Sequence, residues 1–425
     1  MALTPNWKMT FGELTVAFTN SYHKVYDNNG AKSDYNGTFY YPLPTDQMKA
    51  DGGTWYWLGG TMVAAWNATP SIPTPMFKVP DGSDILQAPT GWSKVWDDDK
   101  SGADMWGSCW NANAPSGYMS LGPAFSSQAH LNTYYAPGSG DGVDTFRCVR
   151  EDYVHAATIG SRIWNDDGSG AQMDLACWNV VAIPAGQDAW NDGSTMLMAV
   201  NSYLGVGNYG TPSNTVYVLK VPTIGESTGQ VAQKPSLTST DEPAEYTDPV
   251  TDHRVIVPCS GIKDPGKDAA HQVSETPFYT LEREVRYHRV LYRDNTTGDT
   301  DQDPYEDVAV GVSDSQSSTF SADYNIDVGF SLGVSIGSED KGSVGGQIGV
   351  NHSVTLGYAT TTSVAVMQTD TMHMDLHVPA GQAGALWAES HRISPRRMNG
   401  ESVASDDGLG YDLNGSTVSS TYPHS

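Results

Sequence analysis

The 425-residue chain has few cysteines, few basic residues and no long apolar run. Four dispersed cysteines without a Cys-x-x-Cys pair argue against a disulfide scaffold and leave the redox compartment open. Without about 18 consecutive apolar residues, a transmembrane helix is not expected. The 23 Lys and Arg against 49 Asp and Glu give a net charge of −26. Nucleic acid is therefore not an expected partner, because phosphate contacts need clustered Lys and Arg.

Motifs for catalysis are also missing from the sequence. It contains no His-Glu-x-x-His, no Gly-x-Ser-x-Gly and no phosphate-cradling Gly-Lys-Ser/Thr, and its 11 histidines lack metal-ligand spacing. The N-terminus shows no basic region followed by an apolar stretch, so no signal peptide is visible. We expect a protein that is not an enzyme and needs no cofactor or metal.

The residue types that are abundant in the chain favour strands and turns. The chain has 44 Gly and 24 Pro, and no long stretch places apolar residues at the i, i+3, i+4, i+7 positions of a helix. The expected fold class is all-β. Three parts are predicted: residues 1–222, a connector at 223–250, and residues 251–425.

The first part, residues 1–222, contains a threefold internal repeat. Each copy has an aromatic residue followed by an acidic or amide loop, and it closes on a strand ending at Val79, Val149 or Val221, which are 70 and 72 residues apart. A repeated β unit that cannot bury its apolar face alone predicts pseudo-threefold closure, as in a β-prism or a trefoil, and we favour the β-prism-like form.

These repeats resemble the vacuolar protein sorting-associated protein 62-like family over roughly residues 8–222. The motifs that carry the resemblance are Trp-Asn-Asp-Asp-Gly-Ser-Gly-Ala at 164–171, Pro-Ser-Gly-Tyr-Met-Ser-Leu-Gly at 115–122 and Cys-Val-Arg at 148–150.

The repeated acidic loops place carboxylates beside an indole ring. That combination suits a sugar, whose hydroxyls carboxylates bind while a ring face stacks on the Trp, or a calcium ion. The alternative is that Asp and Gly form the turn and the Trp packs the core. The candidate glycan-binding residues are Trp96, Asp97, Asp98, Asp99, Trp164, Asp166 and Asp167.

The second part is organised around residues 319–358, where apolar and polar residues alternate on the way out and again on the way back. Such alternation predicts a two-stranded ribbon with one apolar and one polar face, turning at residues 338–342. A membrane barrel strand needs about 9–11 residues of this pattern. A ribbon whose apolar face is permanently covered by another sheet is the alternative. The predicted lipid-facing residues are Phe320, Ala322, Tyr324, Ile326, Val328, Phe330, Leu332, Val334, Ile336, Val344, Ile348, Val350, Val354, Leu356 and Tyr358.

The long strands, this Ser/Thr-flanked ribbon and a late strand with Val-Pro-Ala-Gly at 378–381 and Trp387 make residues 250–400 resemble an aerolysin-type β-pore-forming module. The resemblance implies an elongated β domain that oligomerises and inserts an amphipathic hairpin. We therefore expect a pore-forming toxin that is secreted or released as a soluble protein. It would then bind a glycan or protein receptor on a target-cell membrane and form a homo-oligomer there. A soluble, lectin-like carbohydrate-binding protein is the alternative.

Overall fold

The computed structural model describes residues 5–130, 133–138, 143–182, 194–324, 326–328, 333–336, 352–355, 370–403 and 408–423. The chain is built mostly from antiparallel strands, which confirms the all-β prediction. The elements of the first part are β1 (Lys8–Phe11), β2 (Leu14–Thr19), β3 (Tyr22–Asp27), β4 (Thr38–Pro42), α1 (Asp46–Ala50), β5 (Thr61–Val63), β6 (Thr74–Lys78), β7 (Leu86–Gln87), β8 (Gly91–Asp97), β9 (Ser108–Asn113), β10 (Tyr118–Met119), β11 (Ala124–Ser126), β12 (Ala129–His130), β13 (Thr133–Tyr134), β14 (Cys148–Arg150), β15 (Val154–Asn165), β16 (Ala176–Val181), β17 (Thr195–Met198), β18 (Tyr203–Val206) and β19 (Val216–Pro222).

The threefold repeat is visible in the strand pairing. Antiparallel strands pair in the orders β3-β4-β5, β8-β9-β11 and, as part of a larger sheet, β15-β16-β18. The first strand of each trio has a register shift at the same place, immediately before Tyr26, Trp96 or Trp164. A bulge adds one residue to a strand and redirects the next side chain. The same irregularity in all three copies sends these three aromatic side chains inward.

One core joins the three copies. Tyr26, Trp96 and Trp164 lie in a single buried cluster with Phe39, Cys109 and Cys177, the residues that pair with them on the second strand of each trio. Each of these six side chains is at most 1% exposed. Each copy therefore buries its apolar face against the other two.

At one end of this core, small residues let the three backbones meet. Gly59, Gly122 and Ser202 occupy equivalent positions, and a Cβ added to Gly122 would lie 1.9 Å from the Ser202 Oγ. The Ser202 hydroxyl donates to the Gly60 carbonyl oxygen at 2.9 Å. The repeated Leu-Gly of the first two copies is therefore a packing requirement, because a side chain there would occupy the space of the third copy.

The remaining elements are built on longer strands. A five-stranded antiparallel sheet has the order β20-β21-β22-β28-β29, and β23 pairs with β27. The elements are β20 (Gly225–Ser227), β21 (Val250–Pro258), α2 (Ala269–Glu275), β22 (Phe278–Asp294), β23 (Tyr305–Val310), α3 (Asp314–Tyr324), β24 (Ile326–Val328), β25 (Gly333–Ile336), β26 (His352–Thr355), β27 (Asp370–Asp375), β28 (Ala383–Arg396) and β29 (Leu409–Tyr422).

The two parts of the chain share a second large core. Phe278, at the start of β22, packs against Phe11 and Phe18 with ring centroids 6.1 and 5.4 Å apart. The same cluster contains Met198 from the third repeat and Val255 from β21. Burial of this continuous apolar contact couples the stability of the repeats to that of the long-strand sheet.

The connector predicted at 223–250 is not a free linker. It contributes β20 to the long-strand sheet, and its Leu237 is buried against Trp387 and Tyr287. Farther along, the Tyr246 ring lies 3.8 Å from the Arg286 guanidinium. Outside β20 the connector packs through single residues such as Leu237 and Tyr246, and such contacts need no strand or helix periodicity.

The contact at the threefold axis gives a double-mutant prediction. Gly122→Ala should lower the free energy of unfolding by about 1–3 kcal/mol, the usual cost of overpacking. The loss should be smaller in a Ser202→Gly background, where the obstructing Oγ is absent. Chemical unfolding of the four proteins measures the coupling, and an equal loss in both backgrounds would contradict the packing described.

Candidate functional site: the amphipathic segment and the acidic loops

The amphipathic segment begins as a helix in this structure. Ser313 and Gln316 form a reciprocal cap at the N-terminus of α3: the Ser313 Oγ accepts from the Gln316 backbone N at 3.2 Å, and the Gln316 Oε1 accepts from the Ser313 backbone N at 2.9 Å. This Ser-x-x-Gln arrangement is a capping box. The predicted strand for residues 320–324 is therefore wrong for this form of the protein.

The spacing of the apolar residues explains why either structure fits. Phe320 and Tyr324 are four residues apart, so they share a face in a helix and also in a strand. In α3 their ring centroids are 4.9 Å apart and both side chains are buried in the core shared by the two parts of the chain. Ala322, which would lie beside them on a strand, is exposed.

After α3 the segment folds into short strands rather than one long ribbon. β24 pairs with β25 in the register Ile326↔Ile336 and Val328↔Val334, so the chain reverses inside the stretch predicted to be the outgoing strand. That single-ribbon prediction is wrong here. Of the predicted lipid-facing residues, Phe330, Leu332, Val344, Ile348, Val350, Leu356 and Tyr358 lie outside the described residues, as does the predicted tip at 338–342.

The outgoing and returning parts of the segment pair over four residues, in a register that a turn at residues 338–342 does not give. β25 pairs with β26, which places Val334 opposite Val354. β26 in turn pairs with β17 of the third repeat, with Leu197 opposite Ser353. The segment is thus hydrogen-bonded into a sheet of the N-terminal repeats. Ile326 is fully buried in the shared core.

A single lysine contacts the C-terminal end of α3. The Lys263 Nζ donates to the Ala322 carbonyl oxygen at 2.6 Å, and the Lys263 backbone N donates to the Tyr324 carbonyl oxygen at 3.0 Å. The last carbonyls of a helix lack partners within it and carry partial negative charge. A cation there stabilises the helical form of the segment.

The acidic loops, the second candidate site, are largely structural. Trp96 and Trp164 are each 1% exposed, and Asp97, Asp98 and Asp166 are buried. Rings buried in this way present no face on which a sugar could stack. Asp99 is half-buried and Asp167 is exposed. The alternative interpretation, in which the Asp residues form the turn and the Trp packs the core, accounts for every buried residue among the candidates.

The loops bind one another in a closed ring. The Asp104 backbone N donates to the Asn29 carbonyl oxygen at 2.7 Å. The Gln172 backbone N donates to the Asp99 carbonyl oxygen at 3.1 Å, and the Asp34 backbone N donates to the Asp167 carbonyl oxygen at 2.9 Å. Each copy therefore donates to one neighbour and accepts from the other. This ring stabilises the pseudo-threefold closure through the backbone, which explains why the loop sequences can differ.

A second residue of each loop anchors aromatic side chains. The Asp166 carboxylate accepts from the Trp96 Nε1 at 2.8 Å, the Tyr209 hydroxyl at 2.9 Å and the Leu175 backbone N at 2.7 Å. In the first copy the equivalent Asn28 accepts from the Trp66 Nε1 at 2.6 Å. The Trp66 and Tyr209 contacts could not be predicted from the sequence, because these donors follow their loops at unequal spacings.

Burial changes the acidity of these carboxyls. Removal from water raises the pKa of Asp98 to about 6, against a smaller lowering by the hydrogen bond from the Tyr134 hydroxyl. Burial also raises the pKa of Asp166. Desolvation disfavours the charged form, so both groups hold protons more tightly in the folded protein than in the unfolded chain.

Other features of a functional site are limited within the described ranges. No helix there is long and apolar enough to span a membrane. No group of three or more His, Cys, Asp or Glu side chains in this part of the chain is arranged to hold a metal ion.

Comparison with known protein families finds a match for the repeats. A profile of the family described as vacuolar protein sorting-associated protein 62 matches residues 5–201. This range covers most of the threefold module, and it confirms the resemblance predicted from its motifs. No functionally curated protein matches the chain.

Two solved structures show partial likeness to this one. GNIP1Aa from Chromobacterium piscinae is 22% identical, with a TM-score of 0.38 over 49% of this chain and 37% of GNIP1Aa, so the chain spans little more than a third of that protein's length. Cry35Ab1 is 10% identical, with a TM-score of 0.31 over 98% of this chain and 91% of Cry35Ab1. At these TM-scores the function has to be argued from the chain's own residues.

The raised pKa of Asp98 predicts how stability depends on pH. The pKa of Asp98 in the folded protein, about 6, lies above the ordinary value of about 3.9. The protonated Asp98 carboxyl therefore contributes fully to stability below pH 4, and this contribution is lost as the pH rises through 6. Asp98→Asn should remove this rise on acidification. Urea unfolding between pH 4 and 7 measures it, with Asp167→Asn as the control for lost charge. An unchanged pH profile in Asp98→Asn would contradict the assignment.

Proposed function

We propose that this protein is a non-enzymatic pore-forming toxin. The N-terminal repeats contact a target-cell surface, copies of the chain oligomerise there, and each copy contributes residues 319–358 to a transmembrane β-barrel. A lone ribbon would leave edge hydrogen bonds unsatisfied in lipid, so insertion requires a closed barrel of several copies. The protein is released in a soluble form and acts at the target-cell membrane.

The observation that carries the proposal is the contrast between the pattern and the fold of residues 319–358. Their apolar and polar residues alternate over a length that exceeds one barrel strand in each direction. In the described fold the same segment is a capped helix followed by short strands. A pattern suited to an extended ribbon, held in a compact arrangement, is what a form before insertion requires.

Insertion would require specific contacts to break. Phe320 and Tyr324 would leave the shared core, the Lys263 contacts to α3 would open, and β26 would separate from β17. Phe320 and Tyr324 can also share one face of a strand because their spacing of four residues fits both structures. Contact with the membrane and with other copies would have to compensate for the lost core burial.

The lipid face of the ribbon can be tested with one charge. Val334→Asp puts a carboxylate on the predicted lipid face and should abolish dye release from target-cell vesicles, because an ionised group is costly in hydrocarbon. Ser335→Asp, on the predicted lumen face, is the matched control and should release dye like the parent protein. Circular dichroism and vesicle sedimentation establish that both variants fold and bind.

Two results would contradict the proposal. Equal release by Val334→Asp and Ser335→Asp would refute the assigned faces. No release by the parent protein from any vesicle to which it binds would favour a permanently folded binding protein.

The contact of Lys263 with the C-terminal end of α3 predicts how fast the conformational change occurs. Lys263→Met keeps the length of the side chain but removes its charge from the end of α3, where a cation contributes about 0.3–1 kcal/mol. Dye release should become about twofold to fivefold faster, since 1.36 kcal/mol corresponds to a factor of ten in rate. Lys267→Met is the control for lost charge. An unchanged or slower rate in Lys263→Met alone would show that α3 does not limit release.

A further inference from the structure

The junction between the first and second repeats is closed by aromatic side chains. Trp57 stacks on Tyr41 with ring centroids 4.5 Å apart, and it meets Phe146 edge to face with ring centroids 4.9 Å apart. The Trp57 backbone N donates to the Thr145 carbonyl oxygen, and its carbonyl oxygen accepts from the Arg147 backbone N. Trp57 and Tyr41 are each 1% exposed, so they fill this junction completely.

The equivalent junction between the second and third repeats is open. When the Leu-Gly pairs of the first two copies are aligned, Ser120 stands at the position of Trp57. The strand pairing likewise places Asn111 at the position of Tyr41. Both residues line a half-open pocket of about 180 Å³, with Leu204 and Tyr217 of the third repeat on its other side. The pocket exists because two small polar residues stand where the first copy has a Trp and a Tyr.

The lining of this pocket is polar but uncharged. None of the residues that line it is Asp, Glu, Lys, Arg or His. The side chains of Asn111, Asn214 and Thr215 are exposed and make no hydrogen bond to other described residues. Leu121, Leu204 and the ring of Tyr217 provide apolar surface beside them. Free amide and hydroxyl groups next to an apolar wall suit a ligand that has hydroxyls on its edge and a C–H face.

We propose that this pocket binds a neutral monosaccharide unit of a surface glycan. A closed cavity of about 150 Å³ holds benzene. This pocket has about 180 Å³ and is half-open, so it takes one face of a sugar ring and leaves the outer hydroxyls and the rest of the glycan in solvent. Asn111, Asn214 and Thr215 bind its hydroxyls, and Tyr217 with Leu204 contacts its C–H face. The inference rests on the proposed contact of the repeats with a target-cell surface. It assigns sugar binding to this pocket instead of the buried acidic loops.

The test measures sugar binding in solution, without a membrane. Ligand-observed NMR with galactose, mannose, glucose, N-acetylgalactosamine and N-acetylglucosamine should show saturable binding of at least one sugar. The double variant Asn111→Tyr/Ser120→Trp, which copies the closed junction, should reduce the saturation-transfer signal at least about tenfold. Ser116→Trp, in the turn before β10 and outside the pocket, should bind like the parent protein.

A gentler variant covers the case in which the double variant fails to fold. Asn214→Ala/Thr215→Ala removes two hydrogen-bonding groups at the rim and should weaken binding about tenfold or more. Saturable binding that survives both double variants, or no binding of any of the five sugars by the parent protein, overturns the proposal. Displacement of the bound sugar by inorganic phosphate would also overturn it, since the pocket would then take anions. Dye release from vesicles is scored separately, so pore formation and sugar recognition can fail independently.

Discussion

The packing of three bulge-directed aromatic side chains around one axis is the constraint on which the N-terminal part depends. Tyr26, Trp96 and Trp164 each reach into the neighbouring copy, and a Cβ on Gly107 or Gly37 would collide with the ring that covers it. Removing any copy would expose the rings of the other two. The backbone ring of loop contacts then closes around a core that already fixes the orientation of each copy.

This closure also determines what the acidic loops can do. The buried Asp166 carboxylate accepts from an indole N–H, a phenol O–H, a backbone N–H and the Ser169 hydroxyl, so its four lone-pair sites are all used within the protein. The loops resemble binding loops in composition because the same residue types, Asp, Asn and Gly, form tight turns. Recognition of a surface is better suited to a place where the threefold pattern is broken, as it is at Ser120 and Asn111.

The second core joins this rigid module to a segment with two compatible structures. Phe278 contacts the first repeat through Phe11 and Phe18, and Phe320 and Tyr324 lie in the same cluster. The segment is therefore held by tertiary contacts more than by its own helix propensity, because Ser, Thr and Asp in α3 are weak helix formers. Its conformation therefore depends on the Phe320 and Tyr324 contacts together with the Lys263 hydrogen bonds and the pairing of β26 with β17.

The sequence by itself determined the strand class, the threefold repeat and the alternation in residues 319–358, because each depends on local periodicity or on repeated spacing. It could also have shown the capping box of Ser313 and Gln316. Only the tertiary structure decided that Phe320 and Tyr324 lie on a helix, since a spacing of four residues satisfies both a strand and a helix. It likewise decided that Trp96 and Trp164 are buried and that the pocket lies beside Ser120, because these outcomes depend on which copy packs against which.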